Sequence, residues 1–219
     1  MCKLYGSWRS LAAYRVRVAL NFKQLPYDEE MIDITAGDQL TPSFRTLNPQ
    51  GAVPVLVIND GPQLTQSLAI LEFLEELYPR PPLLPSEPGD RARVRSLALL
   101  FVADHHPLIT PRVTRHLVDQ FGANDSATRA WTQYWLRQSL EQAEARLASD
   151  KATGTFCQGD VLSIADICMT SQLLGARALQ ADTTGIPTVN RIGDACLKLD
   201  PFARAHPLAQ RGAPNFTPR

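Results

Sequence analysis

The chain has 219 residues, and its 22 Lys plus Arg balance 22 Asp plus Glu, so its net charge is zero with histidine neutral. That length holds one large domain or two small ones sharing a core. The missing basic excess argues against a phosphate-backbone binder, and no apolar run approaches the length that spans a bilayer.

The predicted elements begin with a short strand at 2–6. This start is strand-like rather than basic and then apolar, so no signal peptide is expected. From Ser10 to Lys23, Ala12, Val16, Ala19, Leu20 and Phe22 recur near helical spacing with arginines between them. The segment 25–34 opens near a proline and alternates, which predicts a strand. A short helix is expected within 37–49, ended by Asn48-Pro49. Residues 53–60 are β-branched and apolar, a buried strand, followed by a turn at 59–63 and a short return strand over 63–66. A helix over 67–79 carries Leu68, Ile70, Leu71, Leu74 and Leu77.

Composition then changes. Residues 78–90 hold five prolines, which excludes regular helix or central strand and marks a linker. Everything beyond reads as helix: 90–119, broken near Pro107 and Pro111; 126–148; 163–180; and a last helix from about 187 to 199. The expected architecture is therefore α/β plus all-α. A βαβαββα domain in thioredoxin-like order covers 1–80, a proline-rich linker covers 81–89, and a helical bundle covers 90–219.

Several residues are candidates for chemistry. Ser10 opens the first helix directly after a strand. It caps that helix or holds an anion such as a thiolate, whose pKa falls at helix N-termini and near cations; Arg9 beside it adds positive potential. Val53-Pro54 precedes the apolar strand, and a cis bond there would leave the Val53 backbone to pair with a peptide-like ligand. Gln66-Ser67 starts the helix at 68 with no acid before Glu72, a place for a carboxylate, with a plain Ser67 N-cap as the alternative. His105-His106-Pro107 lacks metal spacing and reads as packing or substrate lining. Arg112 and Arg115 face either an acidic substrate or solvent. Ser163 and Asp166 form a capping box. The four scattered cysteines (Cys2, Cys157, Cys168, Cys196) form neither C-x-x-C nor a zinc spacing. They suggest a reduced, cytoplasmic protein, with no metal, nucleic-acid or membrane partner expected.

Taken together, "LYGSWRSLAAYRVRVALN", "LNPQGAVPVL", "LTQSLAILEFLEELYP", "LLP" and "SIAD" resemble the zeta-class glutathione transferases, the family of the maleylacetoacetate and maleylpyruvate isomerases. The resemblance runs over nearly the whole chain. It implies a homodimer, glutathione as cofactor, and cis–trans isomerisation of a maleyl dicarboxylate in aromatic degradation. By position, Val53 and Pro54 would present backbone to the cysteinyl part of glutathione. Gln66 and Ser67 would hold its γ-glutamyl carboxylate, and Gln50 and Gln39 would lie near its glycyl end. Thr110 stands where the family often has a glutathione-binding asparagine. Ser10 would stabilise the thiolate, assisted by Arg9, with Arg9 and Arg112 on substrate carboxylates and His106 lining the site. The sequence departs from the family at Leu11-Ala12-Ala13, where two hydroxyls and a cysteine are usual, and at Ala178, where an arginine is usual; its neighbour Arg177 is a further candidate for the substrate carboxylates. The alternative reading is glutathione conjugation or dehalogenation of a small electrophile by the same thiolate. A non-catalytic scaffold would leave Ser10, Val53-Pro54 and Gln66-Ser67 without a purpose, and a thioredoxin-type redox enzyme would need a cysteine at the helix start.

Overall fold

The computed structural model describes residues 2–59 and 61–214. β1 (Cys2–Gly6) pairs in parallel with β2 (Asp28–Met31) and antiparallel with β3 (Val55–Ile58), which pairs antiparallel with β4 (Leu64–Thr65), giving the order β2-β1-β3-β4. With α1 (Leu11–Phe22), α2 (Pro42–Leu47) and α3 (Ser67–Leu77), the chain order is the expected βαβαββα. The register fixes where the loops emerge. Tyr5 pairs with Val55, and Val55 with Thr65. The end of β1, the start of β3 and the end of β4 therefore meet at one end of the sheet. Ser7–Ser10, Val53-Pro54 and Gln66-Ser67 all leave from that end.

Leu4, Val16, Leu20, Val55, Leu56, Ile70, Leu71 and Leu74 are fully buried and form the core of this part. Arg15 and Arg17 are buried too, which the spacing of the apolar residues did not foretell. α1 is covered by α3 on one side and by α9 (Asp200–Ala205) on another, so little of its circumference meets solvent. Arg17 is held by Glu29, with Nε 3.0 Å from both carboxylate oxygens. The second strand is shorter than the predicted 25–34. Leu25 N–H bonds back to Leu20 C=O, Gln24 lies at φ 56°, and Asp33 Oδ1 accepts the N–H groups of Thr35 and Ala36. Both ends of the segment are thereby used for turns. The expected turn at 59–63 includes residue 60, outside the described residues.

The chain forms two compact units, one of Met1–Pro82 with Lys198–Arg219, the other of Leu83–Leu197. This corrects the assignment of all of 90–219 to the helical domain. α9 packs within the first unit because Phe202 is fully buried, edge-on to Tyr14, while Asn21 donates to Pro201 C=O and accepts from Arg204. The last predicted helix is present as α8 (Pro187–Leu197), and a further short helix not read from the sequence, α9, starts at Asp200-Pro201.

In the second unit, α4 (Pro88–Leu99) begins inside the proline-rich stretch, since proline suits a first helical turn. It passes into a π-helical turn at Leu100–His105, a 3-10 turn at His106–Ile109, and then α5 (Pro111–Phe121). This is the break that Pro107 and Pro111 predict. α6 (Asp125–Leu147) and α7 (Ile164–Ala178) follow, and α7 is buried along most of its length. The Asp166 carboxylate is fully buried. It accepts from Ser163 N–H at 2.8 Å, Ser163 Oγ at 2.6 Å and Cys157 N–H at 2.7 Å, so the helix start predicted at Ser163-x-x-Asp166 is real.

Candidate functional site

At the sheet end in the first unit, Ser10 is the N-cap of α1, and its Oγ accepts Ala13 N–H at 3.1 Å. Capping uses an oxygen lone pair and not the hydroxyl hydrogen, and among the described residues no acceptor takes that hydrogen. The two readings of Ser10 are therefore compatible: it caps its helix and still has a proton to donate. No acid lies in the first turn of α1, so the helix dipole there is unopposed. Arg9 is exposed, donates to Thr35 Oγ1 at 3.2 Å and lies over the Trp8 ring.

The Val53-Pro54 peptide is cis, as the motif suggested. No hydrogen bond among the described residues engages the Val53 backbone N–H or C=O. Asn48 Nδ2 donates to Ala52 C=O at 2.7 Å and fixes the approach to this bond.

Gln66, not Ser67, is the N-cap of α3, so the expected Ser67 cap is corrected. Gln66 sits at φ 67°, ψ 109°, a conformation that costs a side-chain-bearing residue on the order of 1–3 kcal/mol and recurs at binding sites. Its Nε2 donates to Gln50 Oε1 at 3.1 Å, joining two residues expected at opposite ends of one ligand. Ser67 is the first helical residue, and its Oγ, freed from capping, accepts from Arg15 Nη1 at 2.9 Å. Arg15 and Ser67 are 1% and 6% exposed. Ser67 thus matches Ser10: a protein N–H occupies the oxygen and the hydroxyl hydrogen is left. Gln39 is buried; its Nε2 donates to Ile34 C=O at 3.4 Å, and among the described residues its Oε1 has no hydrogen-bond partner. Gly51 at φ +59° brings the Gln39 carbonyl within 3.1 Å of where its Cβ would stand, so Gln39 borders the Gln50 loop.

The sequence reading missed Arg15. The signal was there in "YRVRVAL", two arginines set in an apolar run.

In the second unit, His105 is buried, with Nδ1 2.8 Å from Leu100 C=O and its ring against Trp135, a packing role. His106 Nδ1 lies 3.5 Å from Oε1 of Gln172, a fully buried residue of α7 whose Nε2 has no hydrogen-bond partner among the described residues. Thr110 caps α5 by position, and its Oγ1 donates to Pro107 C=O at 2.9 Å. Arg112 is exposed and forms no ion pair among the described residues. Arg177 does not join this group. Its guanidinium binds Asp194 at 2.8 Å and Asn190 at 3.1 Å on α8. Five residues beyond Gln172, it points roughly 140° away around α7. Among the described residues no cluster of three or more His, Cys, Asp or Glu is placed to hold a metal ion, and no helix is long and apolar enough to cross a membrane.

A four-stranded mixed sheet with an unengaged backbone at a cis-proline and an acid-free helix start beside it defines a thioredoxin-like unit. With the helical unit after it, this is the architecture of the glutathione S-transferases. Residues 9–77 match the family model "Glutathione S-transferase, N-terminal domain". The chain is 41% identical over 209 residues to a maleylpyruvate isomerase of Ralstonia sp, covering 95% of this chain and 98% of that one. It superposes at TM-score 0.95 and 50% identity on a maleylacetoacetate isomerase of Methylobacterium extorquens AM1 crystallised with malonate and glutathione (97% and 99% of the chains). It also superposes at TM-score 0.93 and 39% identity on the holo structure of a zeta-class maleylpyruvate isomerase (97% and 100%). The chain belongs to the zeta-class glutathione S-transferase family.

Proposed function

We propose that this protein is a glutathione-dependent isomerase that converts a maleyl dicarboxylate, of the maleylacetoacetate or maleylpyruvate kind, to its fumaryl isomer during breakdown of aromatic compounds. One observation carries the reading. Ser10 and Ser67, at one end of the sheet, each keep a hydroxyl proton with its oxygen already fixed by a protein donor, and the Val53 amide is unengaged beside them. These groups fit a small peptide thiol with one anionic end. The Methylobacterium relative is described with both malonate and glutathione bound, which supports a dicarboxylate as the second ligand.

In this reading Val53 pairs with the cysteinyl backbone, and Gln66 and Ser67 take the γ-glutamyl carboxylate. Gln39 and Gln50 border the glycyl end, and Thr110 is the further candidate from the second unit. Bound glutathione supplies a thiolate that adds to the maleyl double bond and leaves again after the single bond has rotated. Ser10 donates a hydrogen bond to the sulfur, and with the α1 dipole keeps it ionised. Arg9 and Arg112 are the guanidinium candidates for the substrate carboxylates, and a positioned cation also favours the negative charge that develops on addition. His106 is the candidate for lining the substrate. We also read the protein as a cytoplasmic homodimer. The four cysteines, all free and buried, fit a reducing compartment, and the family resemblance supports the dimer; light scattering on the purified protein tests it.

The test is glutathione-dependent isomerisation of maleylpyruvate and maleylacetoacetate, followed by ultraviolet absorbance, beside a chloroacetate and chloro-aromatic panel. Turnover of a maleyl substrate that stops when glutathione is withheld supports the proposal. Turnover confined to the chlorinated panel replaces it with conjugation or dehalogenation.

A further inference from the structure

Gln172 places an amide in a part of α7 that is closed to water. It is fully buried, and burying an amide is costly unless its groups are paired. Its buried neighbour Ser171 is satisfied within the helix, with Oγ donating to Cys168 C=O at 2.7 Å. The Gln172 amide reaches to another element instead. Its Oε1 lies 3.5 Å from His106 Nδ1, across 66 residues of chain, and its Nε2 has no hydrogen-bond partner among the described residues. The turn that carries His106 is held by other groups. Trp131 Nε1 donates to Leu108 C=O at 2.8 Å, and Thr110 Oγ1 donates to Pro107 C=O at 2.9 Å. The backbone of His106 is thus placed without Gln172, and what the amide adds acts on the ring.

We infer that Gln172 is a positioning residue for His106: its Oε1 accepts the Nδ1 proton and so fixes the neutral ring in the tautomer with its lone pair on Nε2, the atom presented to the maleyl substrate. An amide oxygen accepts and never donates, so it selects a ring with hydrogen on Nδ1. Nε2 stands on the other edge of the imidazole, and a ring that turns Nδ1 to α7 turns Nε2 away from it. A lone pair there accepts from a hydroxyl, such as the enol form of a maleyl β-dicarbonyl, and leaves carboxylates to the arginines. The 3.5 Å separation is the outer edge of hydrogen-bond range and is expected to shorten when substrate binds. The inference rests on the proposed placement of His106 at the substrate. Gln172 acts through His106, so its loss weakens use of the maleyl substrate and leaves glutathione binding intact.

The experiment reads the ring directly, by long-range proton–nitrogen correlation NMR on the full chain at a pH where its histidines are neutral. His106→Phe identifies the signal among the four histidines. The wild type is expected to carry hydrogen on His106 Nδ1. Gln172→Met, which keeps the volume and removes the acceptor, is expected to move that hydrogen to Nε2, a change that a loss of packing alone would not produce. It is also expected to lower kcat/KM for maleylpyruvate or maleylacetoacetate about tenfold and to keep KM for glutathione within about twofold. Gln172→Glu, which keeps an oxygen at that place, is expected to hold the Nδ1 hydrogen and recover part of kcat/KM. A wild-type ring with hydrogen on Nε2 overturns the inference without any variant. A folded Gln172→Met that keeps hydrogen on Nδ1 overturns it too. Should Gln172→Met fail to fold, Gln172→Leu is read the same way. Unchanged kcat/KM in His106→Phe overturns the placement of His106 at the substrate, and the role of Gln172 in turnover with it.

Discussion

Ser10 Oγ accepts the backbone N–H of Ala13 at 3.1 Å, and this bond lets one hydroxyl serve both the helix and a ligand. The lone pair stabilises the start of α1, while the hydrogen remains for a thiolate. Replacing Ser10 therefore has two separable effects. Ser10→Ala is expected to cost about 1 kcal/mol of stability through the lost cap and about a hundredfold in kcat through the lost sulfur contact. Ser10→Asp restores the cap, because aspartate caps as well as serine. Its negative charge opposes thiol ionisation, so turnover stays low. Thermal melts and glutathione-dependent turnover on the two variants check this; recovery of turnover in Ser10→Asp would reduce Ser10 to a cap.

Arg112 and Arg177, two of the three arginines considered for substrate carboxylates, are predicted to behave differently. Arg177 is engaged by Asp194 and Asn190, so Arg177→Ala is expected to leave kcat/KM within about twofold and to cost less than about 1 kcal/mol, as partly exposed ion pairs do. Arg112 has no such partner, and Arg112→Ala is expected to raise KM for the maleyl substrate about tenfold or more. Steady-state kinetics on both variants decides, and a larger loss in Arg177→Ala would reverse the assignment.

Asp166 carries the start of α7. Three donors from Ser163 and Cys157 converge on its buried carboxylate, and burial pushes its pKa up while those same hydrogen bonds oppose the shift. Asp166→Ala leaves these donors inside the second unit without an acceptor. A loss of about 3 kcal/mol or more is expected, since each orphaned buried donor costs about 1–3 kcal/mol. Urea unfolding measures it. The same loss in turnover without a change in stability would instead mean a direct functional role.

The second unit is also expected to weaken in acid. Asp150 accepts Ala152 N–H at 2.9 Å and pairs with Arg93 at 2.7 Å. These contacts, the backbone bond first, hold its carboxyl below the ordinary range. A depressed carboxyl releases its proton more readily in the native state than in the unfolded chain. Its contribution is thus complete above the ordinary aspartate pKa of about 3.9 and is lost as pH falls through the native value. Melting temperatures of wild type and Asp150→Asn should differ by a constant amount above about pH 5 and converge below about pH 4. A difference independent of pH down to acid denaturation would rule out the carboxylate as its source.

Much of this protein is written in local sequence. The βαβαββα order, the breaks at Pro107 and Pro111, the start of α7 at Ser163 and the candidate residues Ser10, Val53-Pro54 and Gln66-Ser67 follow from periodicity, turn chemistry and cap residues, each acting within a few positions of the chain. Three things were decided only by the tertiary structure. α9 returns to the first unit because the partners of Phe202 and Pro201 are Tyr14 and Asn21, some 180 residues earlier, and no local pattern records a contact at that separation. Arg177 turns to α8 because Asp194 and Asn190 wait there. Arg15 is buried because α3 and α9 cover α1 together, and its bond to Ser67 spans 52 residues of chain. Periodicity reports which face of a helix is apolar; it takes the packed neighbours to say how many faces are covered, and a charge that ends up inside must then find its partner there.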